Sequence, residues 1–243
     1  MDYLTSLQGM KKVGALVREC LDDVEALVKP GVTTRRIEDF VDRFIYNHRA
    51  RSATRGYKGY PFVTCTSVNS VAYHGIPDTT ALVDGDIVSV DVALEFDGWY
   101  GDSCRTFTVG LASLKDGLLI ATARHAMIEG INAVRPNATT GDIGHAISAY
   151  VSGTGFKLLP DTGGHGIGTI LHDHPFVPSH GKKGTGELLR PGMFITVEPI
   201  LVAGSPRVYI QDDGWSFATR DKAKAAQFEH TVAVTETGCM ILT

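Results

Sequence analysis

The chain has 243 residues, of which 43% are hydrophobic and 21% are charged. These proportions are typical of a folded globular protein, and they exclude a disordered chain, a collagen-like fibre and a small disulfide scaffold. The 23 basic and 27 acidic residues leave a net charge of −4, and a negative net charge does not favour binding to nucleic acid. We therefore predict no specific nucleic-acid binding.

The N-terminal segment has no charged stretch followed by an apolar one, so no secretion signal is expected. The apolar runs are far shorter than the roughly 20 residues that cross a bilayer, so we expect no membrane association. The four cysteines form no C-x-x-C pair and are expected to be reduced thiols. These features predict a cytoplasmic protein.

Apolar residues recur at helical spacing between positions 5 and 28 and predict an amphipathic helix that stops at Lys29-Pro30-Gly31. Thr33 and Thr34 are candidate N-caps for a second helix. Short apolar runs separated by Gly, Pro and Asn predict strands over residues 60–110.

The second half of the chain repeats this order. A helix is predicted over 117–134, and Thr139-Thr140 stands 106 positions after Thr33-Thr34. The segment 192–198 likewise resembles 85–91, at an offset of 107. Chance similarity of two helix–turn–helix joints is the alternative, but two echoes in one order favour a duplicated unit. We expect a single catalytic domain, 1–243, with pseudo-symmetric halves of about 1–110 and 111–243.

A hairpin carrying two carboxylates is predicted over residues 87–109. Asp97-Gly98 between apolar runs is a strong signal for a two-residue turn. Pairing the strands on this turn makes Asp91 and Asp102 diagonal neighbours on one face, with Cα atoms roughly 7–8 Å apart. A divalent cation between them would relieve their repulsion and their lost hydration. The alternative is that the acids lie on a solvated face.

Four of the nine histidines lie in one short segment: His165, His172, His174 and His180. The glycines around His165 permit tight turns and close approach of a ligand, without matching a dinucleotide or phosphate-loop motif. Ordinary hydrogen-bonding histidines are the alternative to metal ligands. We expect His174 and His180 to lie on the surface.

Two glutamates stand at the ends of predicted strands. Glu198 closes a β-branched run, and Glu229 opens another. An acid among apolar neighbours is rarely buried unless it is paired or bound to metal. Either one alone could face solvent on an edge strand, but the repeat aligns Glu198 with Asp91 and favours one shared site.

Together these segments resemble the bacterial type I methionine aminopeptidases, which have the pita-bread fold of the M24-type metallopeptidases. The resemblance covers nearly the whole chain. It rests on Tyr57-x-x-Tyr60-Pro61, Ser67-Val68-Asn69, His74-Gly75-Ile76-Pro77, Asp86-Ile87-Val88-x-Val90-Asp91, Gly101-Asp102-Ser103, Gly164-His165-Gly166-Ile167-Gly168, Val197-Glu198-Pro199, Asp213-Gly214-Trp215 and Gln227-Phe228-Glu229-His230. It implies an α+β pita-bread fold, in which a pseudo-two-fold pair of helix–helix–strand units surrounds a curved antiparallel sheet.

The resemblance also implies two divalent metal ions, cobalt, manganese, iron or zinc. Their ligands would be Asp91, Asp102, His165, Glu198 and Glu229, with Asp102 and Glu229 bridging. One imidazole with four carboxylates suits borderline first-row ions, since no Cys is present among the ligands to select zinc by softness.

A monovalent cation near Asn69 and Val71, held through backbone oxygens, is a further implication of the resemblance. The implied partners are the N-termini of nascent polypeptides at the ribosome, and the simplest oligomeric state is a monomer.

The implied activity is removal of the initiator methionine from proteins and peptides with a small second residue, by attack of a metal-bridging hydroxide. Glu198 would carry the proton, His172 would steady the scissile carbonyl, and His74 would hydrogen-bond the backbone on the leaving side. Besides these two histidines, the substrate would contact the pocket residues Tyr57, Tyr60, Cys65, Leu171 and Trp215.

Two alternatives stay open at this point. A proline-specific aminopeptidase or dipeptidase of the same fold usually carries an additional N-terminal domain, whereas about 60 residues precede the substrate-site motifs here. A non-catalytic binding protein on the same scaffold would have lost metal ligands, and none is lost.

Overall fold

The computed structural model describes residues 2–243. It contains two pairs of helices, one pair in each half of the chain, and each pair is followed by strands. The helices are α1 (Tyr3–Leu27), α2 (Thr34–Asn47), α3 (Leu114–Asn132) and α4 (Thr140–Val151). The strands of the first half are β1 (Arg51–Ser52), β2 (Thr64–Val68), β3 (Val71–Tyr73), β4 (Ile87–Phe96) and β5 (Trp99–Thr108). Those of the second half are β6 (Lys157–Leu158), β7 (Gly163–Gly166), β8 (Asp173–Pro178), β9 (Phe194–Val197), β10 (Ile200–Val202), β11 (Val208–Ile210), β12 (Phe217–Thr219), β13 (Ala225–Gln227), β14 (His230–Val234) and β15 (Cys239–Ile241).

Each helix begins at a polar side chain that accepts a hydrogen bond from the backbone three residues later, which satisfies an otherwise unpaired amide. These N-caps are Asp2, Thr33, Ser113 and Thr139. Thr139 and Asp142 also form a reciprocal capping box. Of the two candidate caps Thr33 and Thr34, Thr33 is the N-cap, and Thr139 has the same role at the corresponding position of the second half. In residues 2–243, no helix is both long enough and apolar enough to cross a membrane.

Each helix pair covers one hydrophobic core. In the first half, the buried face of α1, including Met10, Val13 and Leu21, packs with Val90 and Val92 of β4. In the second half, α3 and α4 bury a corresponding set against β9 and β14: Leu119, Met127, Ile143, Ile147, Ile195, Val197 and Val232. Each such fully buried side chain stabilises the fold by roughly 1.5–3 kcal/mol.

Every strand pairing in the described residues is antiparallel, and the strands form four sheets. The two largest are β1-β4-β2 with β5 also paired to β4, and β15-β14-β9-β7-β8. The smaller ones are β13-β10-β6 and β11-β12-β3.

The predicted hairpin is confirmed residue by residue. Strands β4 and β5 pair without a break, with Ala93 opposite Asp102 and Asp91 opposite Cys104. Asp97 and Gly98 at the turn have φ values of 53° and 82°, the left-handed conformation that a type I′ turn requires.

The two halves meet where β5 lies beside the start of β14. The Asp102 N–H donates to Thr231 Oγ1 over 3.1 Å, and the same hydroxyl donates to the Asp102 carbonyl over 2.8 Å. The Ser103 hydroxyl donates to the Glu229 carbonyl over 2.6 Å, and the Glu229 N–H donates to the Cys104 carbonyl over 2.9 Å. These bonds bring Asp102 and Glu229 together from opposite halves.

Candidate active site

The first half supplies two carboxylates from its hairpin. Asp91 on β4 and Asp102 on β5 stand diagonally on one face, as the register requires. Burial raises the pKa of Asp91 to about 6. Burial also raises the pKa of Asp102 well above its usual range, and the charges of Asp91 and Glu198 raise it further. Two adjacent acids are therefore costly to ionise here unless a cation faces them.

The second half supplies an imidazole. His165 on β7 places Nε2 3.8 Å from Asp102 Oδ2 and 3.7 Å from Glu198 Oε1. Its Nδ1 lies 2.9 Å from the Gly166 carbonyl. A proton on Nδ1 satisfies that carbonyl and leaves the Nε2 lone pair directed at the carboxylates.

The second half also supplies two glutamates. Glu198 follows β9, and its oxygens accept from the Thr196 hydroxyl over 3.0 Å and from Gln227 Nε2 over 3.4 Å. Burial, reinforced by the charge of Asp91, raises the pKa of Glu198 to about 8. Glu229 precedes β14, and burial together with the charge of Asp102 raises its pKa well above the usual range.

The donor set fits a divalent metal. Ligand atoms of Asp102, His165 and Glu229 lie within 4.8 Å of one another. Asp102 Oδ1 and Glu229 Oε1 are buried, and neither has a hydrogen-bond partner among the described residues. Buried carboxylate oxygens without a partner are strongly disfavoured, and a divalent cation compensates both at once. Four carboxylates and one imidazole are also a suitable ligand set for two such ions.

All five predicted metal ligands line one cavity of about 260 Å³. The predicted substrate residues line a second cavity of about 270 Å³ beside it: Tyr57, Tyr60, Cys65, His74, Leu171, His172 and Trp215. His74, His172, Asp91 and Asp102 border both cavities. The predicted metal ligands and the predicted pocket residues are therefore adjacent.

The wall of the second cavity is aromatic and tightly held. The Tyr60 and Trp215 rings meet edge to face, with centroids 5.1 Å apart. The Tyr60 hydroxyl donates to the Thr64 carbonyl over 2.8 Å and lies 3.1 Å from the Gly75 carbonyl. With its hydroxyl satisfied by the backbone, Tyr60 presents an apolar ring to the cavity.

Burial disfavours the charged form of His74 and His172, the two histidines predicted to contact substrate. The His172 ring lies 4.2 Å from that of His165 and 4.8 Å from that of Tyr57, measured between centroids. Burial and the neighbouring His165 lower the pKa of His172 to about 4. Burial also lowers the pKa of His74. Each imidazole therefore has one N–H to donate near neutral pH.

His174 and His180 are exposed and line neither cavity, as predicted. The Asn69 carbonyl accepts from the Ala225 N–H over 2.8 Å, which uses one of its two lone pairs. A monovalent cation near Asn69 and Val71 stays a prediction.

Several residues at these cavities carried no recognised signal in the sequence. Lys58 lines the aromatic cavity, and Asp161 and Phe176 line its neighbour. Glu38 on α2 accepts from the Val63 and Thr64 amides and from the Thr64 hydroxyl, which fixes the start of the strand that carries Cys65. Only the position of Lys58 between the two pocket tyrosines could have indicated a role.

Comparisons with known proteins agree with this geometry. The model of metallopeptidase family M24 matches residues 8–236. A methionine aminopeptidase of Rickettsia prowazekii is 45% identical over 235 residues, which cover 96% of this chain and 91% of that protein. Methionine aminopeptidase 1 of Bacillus subtilis is 37% identical, covering 96% and 94% of the two chains.

Solved structures show the same relationship. The crystal structure of methionine aminopeptidase from Rickettsia prowazekii matches with a TM-score of 0.96 and 44% identity, covering 98% of this chain and 97% of that one. Prolidase from Pyrococcus furiosus matches with a TM-score of 0.79 and 19% identity, and only 64% of its chain is covered. The prolidase shares the pita-bread fold alone. The chain belongs to metallopeptidase family M24 and, within it, to the methionine aminopeptidases.

Proposed function

We propose that this protein removes the N-terminal methionine from peptides and nascent proteins whose second residue is small. The observation that carries the proposal is the pair of unpartnered buried oxygens, Asp102 Oδ1 and Glu229 Oε1, beside an aromatic cavity. This combination supports a metal-dependent reaction at a site that lies next to a pocket for one apolar side chain.

Asp91, Asp102, His165, Glu198 and Glu229 would hold the two divalent ions. When bound, such ions acidify a water molecule and stabilise the negative charge that develops on the scissile carbonyl.

Glu198 is the residue we assign to proton transfer. The attacking water gives its proton to the Glu198 carboxylate, and the leaving nitrogen receives that proton as the carbon–nitrogen bond breaks. The Thr196 hydroxyl and Gln227 amide hold the carboxylate in place for both transfers. Products are free methionine and a peptide with a new amino terminus.

The two neutral histidines complete the machinery. His172 would donate its N–H to the carbonyl oxygen, where the bond strengthens as charge develops. His74 would hydrogen-bond the backbone on the leaving side. Their rings border the junction of the two cavities. By resemblance to the family, we expect the second residue to be crowded there, which would restrict it to small side chains.

The aromatic cavity suits methionine. The rings of Tyr57, Tyr60 and Trp215 line a space of about 270 Å³ together with Cys65 and Leu171. Sulfur makes favourable contacts with aromatic rings, and the flexible methionine side chain adapts to an irregular pocket.

Hydrolysis of three peptides tests the proposal. After chelation and reconstitution with cobalt, manganese, iron or zinc, we expect cleavage of Met-Ala-Ser and little cleavage of Leu-Ala-Ser or Ala-Pro-Ser. Preferred cleavage of Ala-Pro-Ser, before its proline, would favour a proline-specific relative of the same fold. Full turnover by verified metal-free protein would overturn the metal-dependent reaction.

A further inference from the structure

Lys58 is a cation held at the rim of the aromatic cavity. It lies in the one-turn 3-10 helix Tyr57–Gly59, and its own φ of 48° is left-handed. The turn is closed by hydrogen bonds from the Gly56 N–H to the Tyr60 carbonyl, 2.7 Å, and from the Tyr60 N–H to the Tyr57 carbonyl, 2.9 Å. The Lys58 ammonium lies 5.3 Å from the centre of the Tyr57 ring. This backbone fixes where the side chain leaves the surface.

The ammonium of Lys58 has no carboxylate within 4.0 Å in residues 2–243. Lys58 lines the aromatic cavity together with His74 and His172. The Tyr57 ring connects them, because its centre lies 5.3 Å from the Lys58 ammonium and 4.8 Å from the centre of the His172 ring. An unpaired cation therefore lies near the two residues assigned to the scissile carbonyl and the leaving backbone.

The neighbouring cavity has the opposite charge at its rim. Asp161 is exposed there, beside Thr162 and Phe176. The buried carboxylates at the floor would be compensated by metal ions, which leaves Lys58 and Asp161 as the exposed charged residues that line these two cavities. The residue of these two that lies beside the departing part of the peptide would determine which charge the enzyme prefers on that peptide.

We propose that Lys58 makes this enzyme favour substrates with an acidic third residue. The inference rests on the proposed function, in which the first residue fills the aromatic cavity and the second must be small. The third residue is then the first that can carry a charged side chain, and it leaves past His74 and His172 beside Lys58. An exposed charge pair of this kind changes kcat/KM by about two- to fivefold.

The test uses the metal-reconstituted full chain and the peptides Met-Ala-Asp-Ser, Met-Ala-Asn-Ser and Met-Ala-Lys-Ser. We expect kcat/KM to fall in that order. Lys58→Asn should bring the Asp-to-Lys ratio close to one, and Lys58→Asp should invert it. Both replacements tolerate left-handed backbone, so the turn is kept. Lys11→Glu, at an exposed position of α1, changes the net charge and should leave the ratio unchanged.

Salt gives a second readout. The preference should weaken between about 0.01 M and 1 M salt, as the screening length falls from about 30 Å to 3 Å. Equal cleavage of the three peptides, or a ratio that Lys58→Asn does not change, would overturn the inference while the proposed function stands. A preference for lysine would overturn it and assign the role to Asp161. Failure to cleave Met-Ala-Asn-Ser would overturn the proposed function and this inference with it.

Discussion

The two halves of the molecule build the same site by different means. In the first half, Asp91 and Asp102 stand on neighbouring strands of one hairpin, whose ten-residue strands are joined by a two-residue turn. In the second half, His165, Glu198 and Glu229 stand on or beside three short strands that come from separate parts of the chain. Local register fixes the first pair, whereas tertiary packing fixes the other three.

The positions of the candidate ligands are therefore fixed in two different ways. A hairpin with a continuous register keeps its side chains in place as long as its own hydrogen bonds survive. Ligands on separate strands depend on every contact between those strands. We therefore expect the second half to be the more sensitive to substitutions beside its ligands.

The largest expected effect concerns Asp91 and Glu198, the two acids that the internal repeat aligns with each other. Asp91→Asn and Glu198→Gln should both weaken metal binding, since each removes an anionic oxygen. At saturating metal, Glu198→Gln should also lower kcat, on the order of 10²–10⁴-fold, because proton transfer is lost. Metal content by elemental analysis, measured beside kcat, separates the two. Equal kcat losses at full occupancy would assign no special proton role to the second half.

The next effect concerns two histidines of the second half. His165→Ala should lower metal content, because it removes the one nitrogen of the proposed ligand set. His172→Ala should keep the metal and lower kcat on the order of 10²–10³-fold, with KM much less changed. If His172→Ala loses metal and His165→Ala does not, the assigned roles are reversed.

Metal-free protein should lose stability as pH rises. Asp91 and Glu198 have pKa values raised to about 6 and about 8, above the roughly 4 of an unfolded chain. Between about pH 4 and 8 the folded state thus holds protons that the unfolded state releases. The free energy of unfolding should fall by up to about 1.4 kcal/mol per pH unit for each such proton.

Urea unfolding at several pH values, with chelator and with metal restored, measures this slope. Asp91→Asn should make the slope shallower below about pH 6, and Glu198→Gln should make it shallower up to about pH 8, while Asp102 and Glu229, whose pKa values are also raised, continue to contribute. A slope that neither substitution changes would show that other groups cause it. Restored metal should flatten the profile, because it stabilises the ionised carboxylates.

Glycines beside the ligands give the smallest effect. A methyl group at Gly164, next to His165, would collide with the Thr196 carbonyl oxygen, so Gly164→Ala should cost about 1–3 kcal/mol. At Gly101, next to Asp102, it would lie 3.3 Å from methyl groups of Val13 that can shift, so Gly101→Ala should cost less. Gly117→Ala, in open space on α3, should stabilise by about 0.5–1 kcal/mol. Thermal unfolding of the three variants checks the order, and an equal cost at both ligand-adjacent positions would contradict the comparison.

The sequence predicted the local parts of this structure well. Asp97-Gly98 determined the hairpin register and hence the neighbourhood of Asp91 and Asp102, because turn chemistry and strand alternation are local properties. Thr33 and Thr139 marked helix starts for the same reason.

Features that depend on distant contacts were not predictable from local patterns. No spacing indicates that Thr231 bonds both backbone groups of Asp102, or that Glu38 binds the start of β2, since neither side chain resembles a motif. The convergence of the ligands came from resemblance to a family. The lack of an acidic partner for Lys58 depends on the conformation of the turn that carries it, which no local pattern indicates.

The hydrogen bonds between β5 and β14 join residues that are 126 and 129 positions apart. While the chain is being synthesised, the hairpin can form as soon as its own residues are available, but its carboxylates lack their opposite partners until the last strands have been made. Contacts this distant are also formed late, because a long loop must close first. The N-terminal half alone therefore cannot form the complete site of an enzyme that acts on newly made proteins. Binding of metal by the growing chain would show that the fold is complete.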